Sequence, residues 1–391
     1  MKRPAFFAGD EVVQLINRIM NELKGAGGGP TPSLIESVRR SHDPFVAASS
    51  SLIIDVALGT LRAERLGKRR DGWLFTDRMA EQCTHPLIAE YHAKPFTGLQ
   101  HVLEICTGAG LDTAAIAAVV GKVTTYEEDE VIADIADGNL LRAGINNVEV
   151  VRSAWPPSDA VNNTYDGVWA DPSRRTVRGR QRSGASYEPS LSSIPSAPVV
   201  GIKVGPGDDV DTTGYVSEFV GFGKECRERI LWRSSHITVD TVTLVDRQST
   251  WQANTDLDPF VVPSAEYLIE PHNAIIASGR VGAFFAEIGA AVFDPHIAYG
   301  AMNEEPPPSP WYERYRVLKI DQGVSVRRIQ ESIRELGWGS TTIFKKRGWD
   351  NDPEDLRRAL SFASGGPPGV VIVMRVGSGH QTVYATSVAS L

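Results

Sequence analysis

A glycine-rich turn is the strongest chemical signal in the sequence. The segment 101–110 reads HVLEICTGAG, so that an acidic residue, Glu104, is followed by Gly108 and Gly110. Glycine lets the backbone approach a ligand where a Cβ atom would collide with it, and the start of a following helix favours an anionic group. The spacing differs from the G-x-G-x-x-G of dinucleotide sites, which disfavours a nicotinamide cofactor.

An acidic residue follows the next strand-like segment. The run Lys122–Tyr126 is followed directly by Glu127, and then by Glu128 and Asp129. A carboxylate at the end of the second strand of a parallel sheet can accept hydrogen bonds from both ribose hydroxyls. We expect this role for Glu127, whereas the acids after it suit the start of a helix, where the helix dipole favours negative charge.

A third polar group ends the strand-like run Tyr165–Ala170. Asp171 and Pro172 come next and would lie beside a ligand bound at the first strand, although Asp-Pro is also an ordinary turn sequence. Arginines then follow in close succession, at positions 174, 175, 178, 180 and 182. They are interpreted either as a phosphate clamp or as a solvated loop. Lys203, near the end of a later strand-like run, could reach the same site or be a surface lysine.

These residues need a scaffold that brings them together. Strand-like runs alternate with helical patterns from residue 100 onward, which predicts a parallel sheet in an α/β fold of the Rossmann-like type. Residues 1–97 show helical periodicity, and the proline-rich segment 304–310 predicts a linker. Beyond it, residues 311–391 read as a small α+β module. The predicted domains are therefore 1–97, 98–305 and 311–391.

Taken together, the three sites resemble those of class I S-adenosylmethionine-dependent methyltransferases, over about residues 98–263. The resemblance implies the methionine part of the cofactor at the glycine-rich turn, its ribose at Glu127, and methyl transfer beside Asp171 and Pro172. In the family the third strand often ends in an acidic residue near the adenine, but here only Ser153 is available. The predicted cofactor-binding residues are Glu104, Cys106, Gly108, Gly110, Glu127, Ser153 and Asp171.

Further segments extend the resemblance over most of the chain. The sequences YLIEPHNAII at 267–276, DPHIAY at 294–299, FKKRG at 344–348 and GWLF at 72–75 look like those of bacterial methyltransferases with a C-terminal THUMP-like domain. Domains of the THUMP type are associated with RNA, so the resemblance implies an RNA acceptor such as tRNA or rRNA. The basic residues Lys345, Lys346 and Arg347 are then candidates for phosphate contacts, or simply a solvated strand end.

The residues after Asp171 restrict the acceptor. Many methyltransferases that act on base amino groups carry a second proline and an aromatic residue that stacks on the flipped base, but Ser173 and Arg174 stand here. The sequence is nearer to that of RNA uridine C5 methyltransferases, which need a cysteine nucleophile. Cys226 lies in a charged turn that does not suit this role. We therefore expect direct transfer to a nitrogen or oxygen, with Asp171 as base or orienter and Arg174 beside it.

Composition sets outer limits on function. The chain has 391 residues and a net charge of −8, but residues 311–391 carry 12 Lys/Arg against 8 Asp/Glu, which is compatible with polyanion binding. Three cysteines without metal-ligand spacing predict neither a disulfide scaffold nor a zinc site, and favour a reducing cytoplasm. Two alternatives to an RNA methyltransferase stay open: a non-catalytic RNA-binding protein with a degenerate fold, and a methyltransferase for a small molecule or protein.

Overall fold

The computed structural model describes residues 6–25, 27, 29–41, 47–157, 164–174, 187–254 and 258–389. The chain forms two compact units. Unit 1 comprises Met1–Ser217 and Ile230–Thr238, and unit 2 comprises Glu218–Arg229 and Val239–Leu391. Strands β8 (Val216–Phe222) and β9 (Glu225–Arg233) contribute residues to both. The contacts therefore divide the chain at other points than the predicted domain limits.

Unit 1 begins with helices, as the periodicity predicts. The helices are α1 (Asp10–Gly25), α2 (Pro32–Arg39), α3 (Ser50–Arg65), α4 (Asp77–Gln82) and α5 (Pro86–Ala93). The apolar face of α1 is buried, from Val12 to Leu23. Thr76 caps α4 because its side chain accepts a hydrogen bond from the Met79 amide, which fixes the helix start.

A parallel sheet forms the centre of unit 1. Its elements are β1 (His101–Ile105), α6 (Leu111–Ala117), β2 (Lys122–Glu127), α7 (Glu130–Arg142), β3 (Val148–Arg152), β4 (Gly167–Ala170) and β7 (Val199–Val204). The strands lie in the order β3-β2-β1-β4-β7, followed by β9, and the pairs from β3 to β7 are all parallel. The chain thus moves outward from β1 to β3 and returns on the other side of β1. In open α/β sheets, ligands bind where the strand order reverses in this way, which is between β1 and β4.

Unit 2 contains a second, mostly antiparallel sheet of seven strands. They are β12 (Tyr267–Pro271), β13 (Ala291–Val292), β14 (Gly300–Met302), β15 (Tyr312–Gln322), β16 (Ile343–Arg347), β17 (Val370–Val376) and β18 (Gly379–Ser387). Their order is β13-β14-β12-β15-β18-β17-β16, and only the pair β16–β17 is parallel. In the same unit β10 (Thr241–Leu244) pairs with β8 and with β11 (Ser249–Trp251).

Residues 311–391 contain both strands and helices, as the predicted α+β module requires, with helices α10 (Val326–Glu335) and α11 (Pro353–Arg358). Strand β15 nevertheless pairs with β12, which precedes the proline-rich segment 304–310. The four strands of this region therefore share one sheet with strands of the predicted domain 98–305. Their likeness to a THUMP domain stays a prediction.

Two helices end earlier than the sequence pattern suggests. A single helix from about 273 to 288 is predicted, but the structure has α8 (Asn273–Ala277) and α9 (Val281–Glu287). Gly279 lies between them with φ of 71°, a left-handed conformation that ends a helix. The sequence also predicts a helix that Asp352 caps and that runs to about 362. Helix α11 does begin there, because the Asp352 side chain accepts a hydrogen bond from the Glu354 amide, but it ends at Arg358.

A charge network lies within the second sheet around Glu270 of β12. Its carboxylate accepts hydrogen bonds from Lys345 and from Tyr315, the latter at 2.8 Å, and Arg347 lies 3.3 Å away. Lys345 also lies 3.3 Å from Glu313. Lys345 and Arg347 point to one face of β16 and Lys346 to the other, since successive side chains of a strand point to opposite faces. Two of the three basic residues are thus joined to one carboxylate.

We expect the variant Glu270→Gln to lower the free energy of unfolding by about 1–2 kcal/mol. Removing this charge leaves two half-buried cations with one fewer partner, although Glu313 still neutralises Lys345. Urea denaturation measures the effect. The matched control is Glu335→Gln, which removes an exposed partner of Lys319 and should cost less than about 0.5 kcal/mol. Equal effects of the two substitutions would contradict a structural role for the network.

Candidate active site

The candidate site lies at the carboxyl ends of β2, β1, β4 and β7, where register aligns four side chains. Ile105 is aligned with Tyr126 on one side and with Ala170 on the other, and Ala170 is aligned with Ile202. The next positions along these strands form one row: Glu127, Cys106, Asp171 and Lys203. Neighbouring strands are about 4.8 Å apart, so Glu127 and Asp171 flank the end of β1 at roughly 10 Å from each other.

The turn after β1 has the backbone geometry that the glycines predict. Gly108 and Gly110 have φ of 55° and 87°, and Gly110 is the N-cap of α6. A Cβ atom built on Gly108 would meet no atom of the described chain within 4 Å, so the turn is open outside this residue. Cys106 also has a positive φ, of 70°, which is unusual for a residue with a side chain. The turn therefore leaves room for a ligand against its backbone.

The Glu127 carboxylate is fixed by two backbone amides. Its two oxygens accept hydrogen bonds from the amides of Gly108 and Asp129, both at 3.1 Å. The side chain is almost fully buried, at 8% exposure. Asp129 has the separate role expected of it, because its carboxylate caps α7 by accepting from the amides of Val131 and Ile132. A fixed carboxylate beside an open glycine turn suits a ribose carrying two hydroxyl donors.

Glu104 lies beneath the turn rather than on it. Its side chain is 1% exposed and accepts a hydrogen bond of 2.5 Å from the Thr113 hydroxyl on α6. Burial raises the pKa of Glu104 to about 8, against the hydroxyl donors of Thr113 and Thr125, which lower it. The residue thus ties β1 to the first turns of α6. The predicted contact of Glu104 with the cofactor would need its carboxylate to be exposed, and the structure buries it.

Because of this burial, stability should depend on pH through Glu104. Its folded-state pKa of about 8 exceeds the unfolded value of about 4.3, so the neutral acid stabilises the fold at low pH and this contribution is lost as pH rises from about 4 to 8. We expect Glu104→Gln, which stays neutral, to gain at least about 3 °C in melting temperature over the native chain between pH 5 and pH 8.5. Differential scanning fluorimetry measures both curves, and parallel curves would refute the prediction.

Asp171 is paired with Lys203. The Lys203 ammonium lies 2.8 Å from the Asp171 carboxylate and donates a second hydrogen bond, of 3.2 Å, to the Thr84 hydroxyl. Lys203 is predicted as a substrate contact, but its charge is directed to the carboxylate in the next position of the row. Pro172, next along the chain, is buried. The sequence alone gives no signal for Thr84, because it lies between two helices of the N-terminal region.

Arg174 lies on the short strand β5 (Ser173–Arg174), which pairs with β6 (Tyr187–Glu188). Its guanidinium lies 3.6 Å from the Asp208 carboxylate, and 34% of its side chain is exposed. Asp208 also accepts a hydrogen bond from the Tyr187 hydroxyl. Gly205 permits this approach, since a Cβ atom there would lie 2.6 Å from the guanidinium. Arg174 is thus oriented but accessible, whereas Arg175 and the arginines at 178, 180 and 182 lie outside the described residues.

Other predicted residues are placed differently. Ser153 follows β3 directly and is half-buried, so it lies at the same edge of the sheet as the row. Lys345 and Arg347 are engaged with Glu270, and Lys346 donates hydrogen bonds to the carbonyls of Asp350 and Asn351. These three residues belong to unit 2 and the row belongs to unit 1. The proposed phosphate contacts of the three residues would have to compete with these partners.

The three cysteines are poor nucleophiles. Burial raises the pKa of Cys83 to about 11 and those of Cys106 and Cys226 to about 12. The thiolate is the reactive form of cysteine, and at neutral pH it is then scarce. Within the described part of the chain, no group of three or more His, Cys, Asp or Glu side chains could hold a metal ion. None of the described helices has both the length and the apolar character needed to cross a membrane.

Comparisons with known proteins indicate the class of enzyme. No family model matches the chain. Two Mycobacterium tuberculosis proteins, described as uncharacterized S-adenosylmethionine-dependent methyltransferases, are each 27% identical over 329 residues, which is 80% of this chain and 88% of theirs. A protein-L-isoaspartate O-methyltransferase of Methanococcus vannielii is 36% identical, but only over 73 residues, or 18% of this chain and 35% of that protein.

A solved structure shares the fold over nearly the whole chain. It is a crystal structure from Porphyromonas gingivalis W83, described as a candidate methyltransferase, with a TM-score of 0.69 and 13% sequence identity. It covers 96% of this chain and 99% of that one. The fold is thus a mixed α/β fold with a parallel-dominated sheet. These comparisons confirm the predicted enzyme class, an S-adenosylmethionine-dependent methyltransferase, and the predicted cofactor, S-adenosylmethionine.

Proposed function

We propose that the protein transfers a methyl group to a nitrogen or oxygen atom of an RNA, at the row formed by Glu127, Cys106, Asp171 and Lys203. The observation that supports this most is the register, which aligns a carboxylate suited to ribose and a carboxylate suited to the acceptor on opposite sides of the glycine turn. The carboxyl ends of β1 and β4 are where this topology is expected to bind its ligand.

The residues present suit the cofactor. Gly108 and Gly110 would hold its methionine part against the turn, Glu127 its ribose hydroxyls, and Ser153 its adenine. The geometry that supports this is the open space outside Gly108 and the two amides that fix the Glu127 carboxylate. The bound cofactor supplies an activated methyl group. The protein's own task is then to orient the acceptor and to manage its proton.

Asp171 is the group that meets the acceptor in this proposal. A carboxylate accepts a hydrogen bond from an N–H or O–H group and thereby turns the lone pair of that atom in a defined direction. The high pKa values of the cysteine thiols disfavour the covalent route to a pyrimidine carbon. Direct transfer to a nitrogen or oxygen is the chemistry that remains for this set of side chains.

The arginines next to Asp171 support a polyanionic acceptor. Arg174 follows Asp171 by three positions and five arginines fall between residues 174 and 182. Arginine binds phosphate oxygens in pairs of hydrogen bonds, and such contacts position a nucleic acid without reading its sequence. The run of arginines directly after Asp171 in the sequence favours this acceptor over an uncharged small molecule or a protein. The RNA proposal depends on these residues and not on Lys345 and Arg347, which already have carboxylate partners.

RNA binding tests the proposal. Fluorescence anisotropy with a labelled single-stranded RNA should show affinity that falls as salt rises. The variant Arg174→Ala should bind more weakly and reduce the log–log salt slope by about 0.7. Arg78→Ala is the matched control, because Arg78 is an exposed arginine of α4 that should leave the slope unchanged. Absence of salt-sensitive binding by the native chain would overturn the RNA acceptor.

A further inference from the structure

A chain of polar side chains runs from the helical region of unit 1 to Asp171. His92 of α5 contacts Asp112 of α6 at 2.8 Å, and Asp112 in turn interacts with the Thr84 hydroxyl. Thr84 accepts a hydrogen bond from Lys203, which lies 2.8 Å from Asp171. These polar contacts thus link α5, α6, β7 and the end of β4 through side chains alone.

Most of these linked side chains are buried away from water. His92 is fully buried, and Asp112 and Thr84 are 7% and 6% exposed. The His92 ring also packs on Trp169 of β4, with ring centroids 4.4 Å apart. Burial alone would raise the pKa of Asp112, but the charge and hydrogen bond of His92 and the charge of Lys203 outweigh it, so the pKa is lowered. Asp112 is thus held as a carboxylate that stabilises the ammonium of Lys203.

The Lys203 ammonium is consequently held on two sides, by the Thr84 hydroxyl and by the Asp171 carboxylate. Only 16% of its side chain is exposed, against 33% for Asp171. Buried charge is costly unless it is paired and hydrogen-bonded, and Lys203 has the Asp171 carboxylate, the Thr84 hydroxyl and the nearby Asp112 charge. The more accessible member of the pair is Asp171, the group that faces an acceptor. The architecture therefore places a fixed cation behind an accessible carboxylate.

We propose that Lys203 and Thr84 are positioning residues that keep Asp171 ionised and in one orientation, so that Asp171 orients a nitrogen acceptor rather than deprotonating a hydroxyl. The inference rests on the proposed function. A carboxylate bound to an ammonium group is a weaker base than a free carboxylate. A hydroxyl needs a base to give up its proton as it is methylated, whereas a nitrogen reacts through its lone pair and becomes acidic only afterwards.

The transfer then balances as follows. The nitrogen lone pair forms the new N–C bond, and the C–S bond of the cofactor breaks with its electron pair on sulfur. The nitrogen proton leaves along its hydrogen bond to Asp171 and passes to water. Asp171 and Lys203 finish in the charge states in which they began. The acceptor class is therefore a base nitrogen that carries a hydrogen atom.

The first test uses no acceptor. Urea denaturation of the native chain, Asp171→Asn, Lys203→Met and the double variant forms a double-mutant cycle. We expect the midpoint shift of the double variant to be clearly smaller than the sum of the two single shifts. Lys122→Met with Glu149→Gln is the matched cycle, since this pair has the same 2.8 Å distance but is exposed on both sides. Additive shifts in the first cycle would overturn the pairing.

The second test uses methyl transfer to total RNA at saturating S-adenosylmethionine. Lys203→Met should lower kcat at least about 20-fold with KM for RNA within about threefold, and Lys203→Arg should recover most of the rate. Thr84→Val should act in the same direction, more weakly, and Lys122→Met should have no effect. Adding Lys203→Met to Asp171→Asn should slow transfer less than twofold. A rise in KM together with a fall in kcat, without rescue by arginine, would indicate a merely structural role and would overturn the proposal.

The position of the methyl group completes the test. Digestion of the product RNA and mass spectrometry should find the label on a base nitrogen, whereas a 2′-O-methyl nucleoside would overturn the nitrogen acceptor. If the native chain transfers no label to RNA, the proposed function fails and the nitrogen acceptor fails with it. The pairing of Lys203 with Asp171 is then still decided by the denaturation cycle, so the two failures are distinguishable.

Discussion

Replacing Asp171 by asparagine should lower the rate of methyl transfer at least about 100-fold at saturating S-adenosylmethionine. Asparagine has the same shape but no charge. Its amide nitrogen would present a hydrogen-bond donor where the N–H group of the substrate needs an oxygen that accepts. Removing one pre-oriented group of this kind from an active site typically costs a factor of about 10² to 10³ in kcat. The measurement is the initial rate of tritium transfer from the methyl-labelled cofactor to total RNA.

The matched control for this substitution is Glu149→Gln. Glu149 is an exposed carboxylate of β3 that pairs with Lys122 at 2.8 Å, so the change removes the same charge away from the site. The control should retain the native rate within about twofold. Loss of rate in both variants would point to a general effect of charge on the enzyme. A native rate in Asp171→Asn would show that methyl transfer occurs elsewhere.

Replacing Glu127 by alanine should weaken S-adenosylmethionine binding at least about tenfold. Hydrogen bonds to a charged acceptor are each worth about 1.5–3 kcal/mol, and a ribose offers two hydroxyl donors. Gly108→Val should have a comparable effect, because it places a branched side chain in the open space outside the turn and forces it into a left-handed backbone. Isothermal titration calorimetry with the cofactor measures both affinities.

Stability must be checked separately for these variants. Glu127 also accepts the amides of Gly108 and Asp129, so alanine removes contacts within the turn as well. Glu127→Gln keeps one acceptor oxygen and most of the shape, and should lie between the native chain and alanine. Glu130→Ala, an exposed acid three positions further on, should bind the cofactor normally. Native affinity in both Glu127→Ala and Gly108→Val would place the cofactor site elsewhere.

The sequence predicts the site best where its signals are local. The glycines of the turn, the acid that ends β2 and the Asp-Pro after β4 each follow an apolar run, and a parallel sheet necessarily brings such positions to one edge. The structure places Glu127 and Asp171 on one row for this reason. Their roles toward cofactor and acceptor stay predictions until the variants are measured.

The sequence predicts least where the partner of a charge is remote. Lys203 and Thr84 are 119 positions apart, and Lys345 and Glu270 are 75 apart. A basic run such as KKR gives no indication of which side chains face a carboxylate on a neighbouring element. For the same reason the proline-rich segment 304–310 predicts a linker, although long-range pairing of β12 with β15 joins the residues on either side of it.

The pairing of β15 with β12 restricts how the role of the C-terminal residues in RNA binding can be tested. Removing residues 311–391 would take β15 away from β12 and expose an edge of the remaining sheet in unit 2. Exposed strand edges promote aggregation, so a truncated chain would give an ambiguous loss of binding. Substitutions in the full chain, such as Arg174→Ala with its control Arg78→Ala, avoid this difficulty.

The most direct measurement is the fate of an isotopically labelled methyl group. The native enzyme is incubated with S-adenosylmethionine carrying a deuterated methyl group, together with total RNA, total protein and a small-molecule extract in separate reactions. Mass spectrometry then follows the label. We predict a deuterated methyl nucleoside from RNA with the native enzyme and none with Asp171→Asn. Label found only in protein or in a small molecule, with none in RNA, would contradict the proposed function.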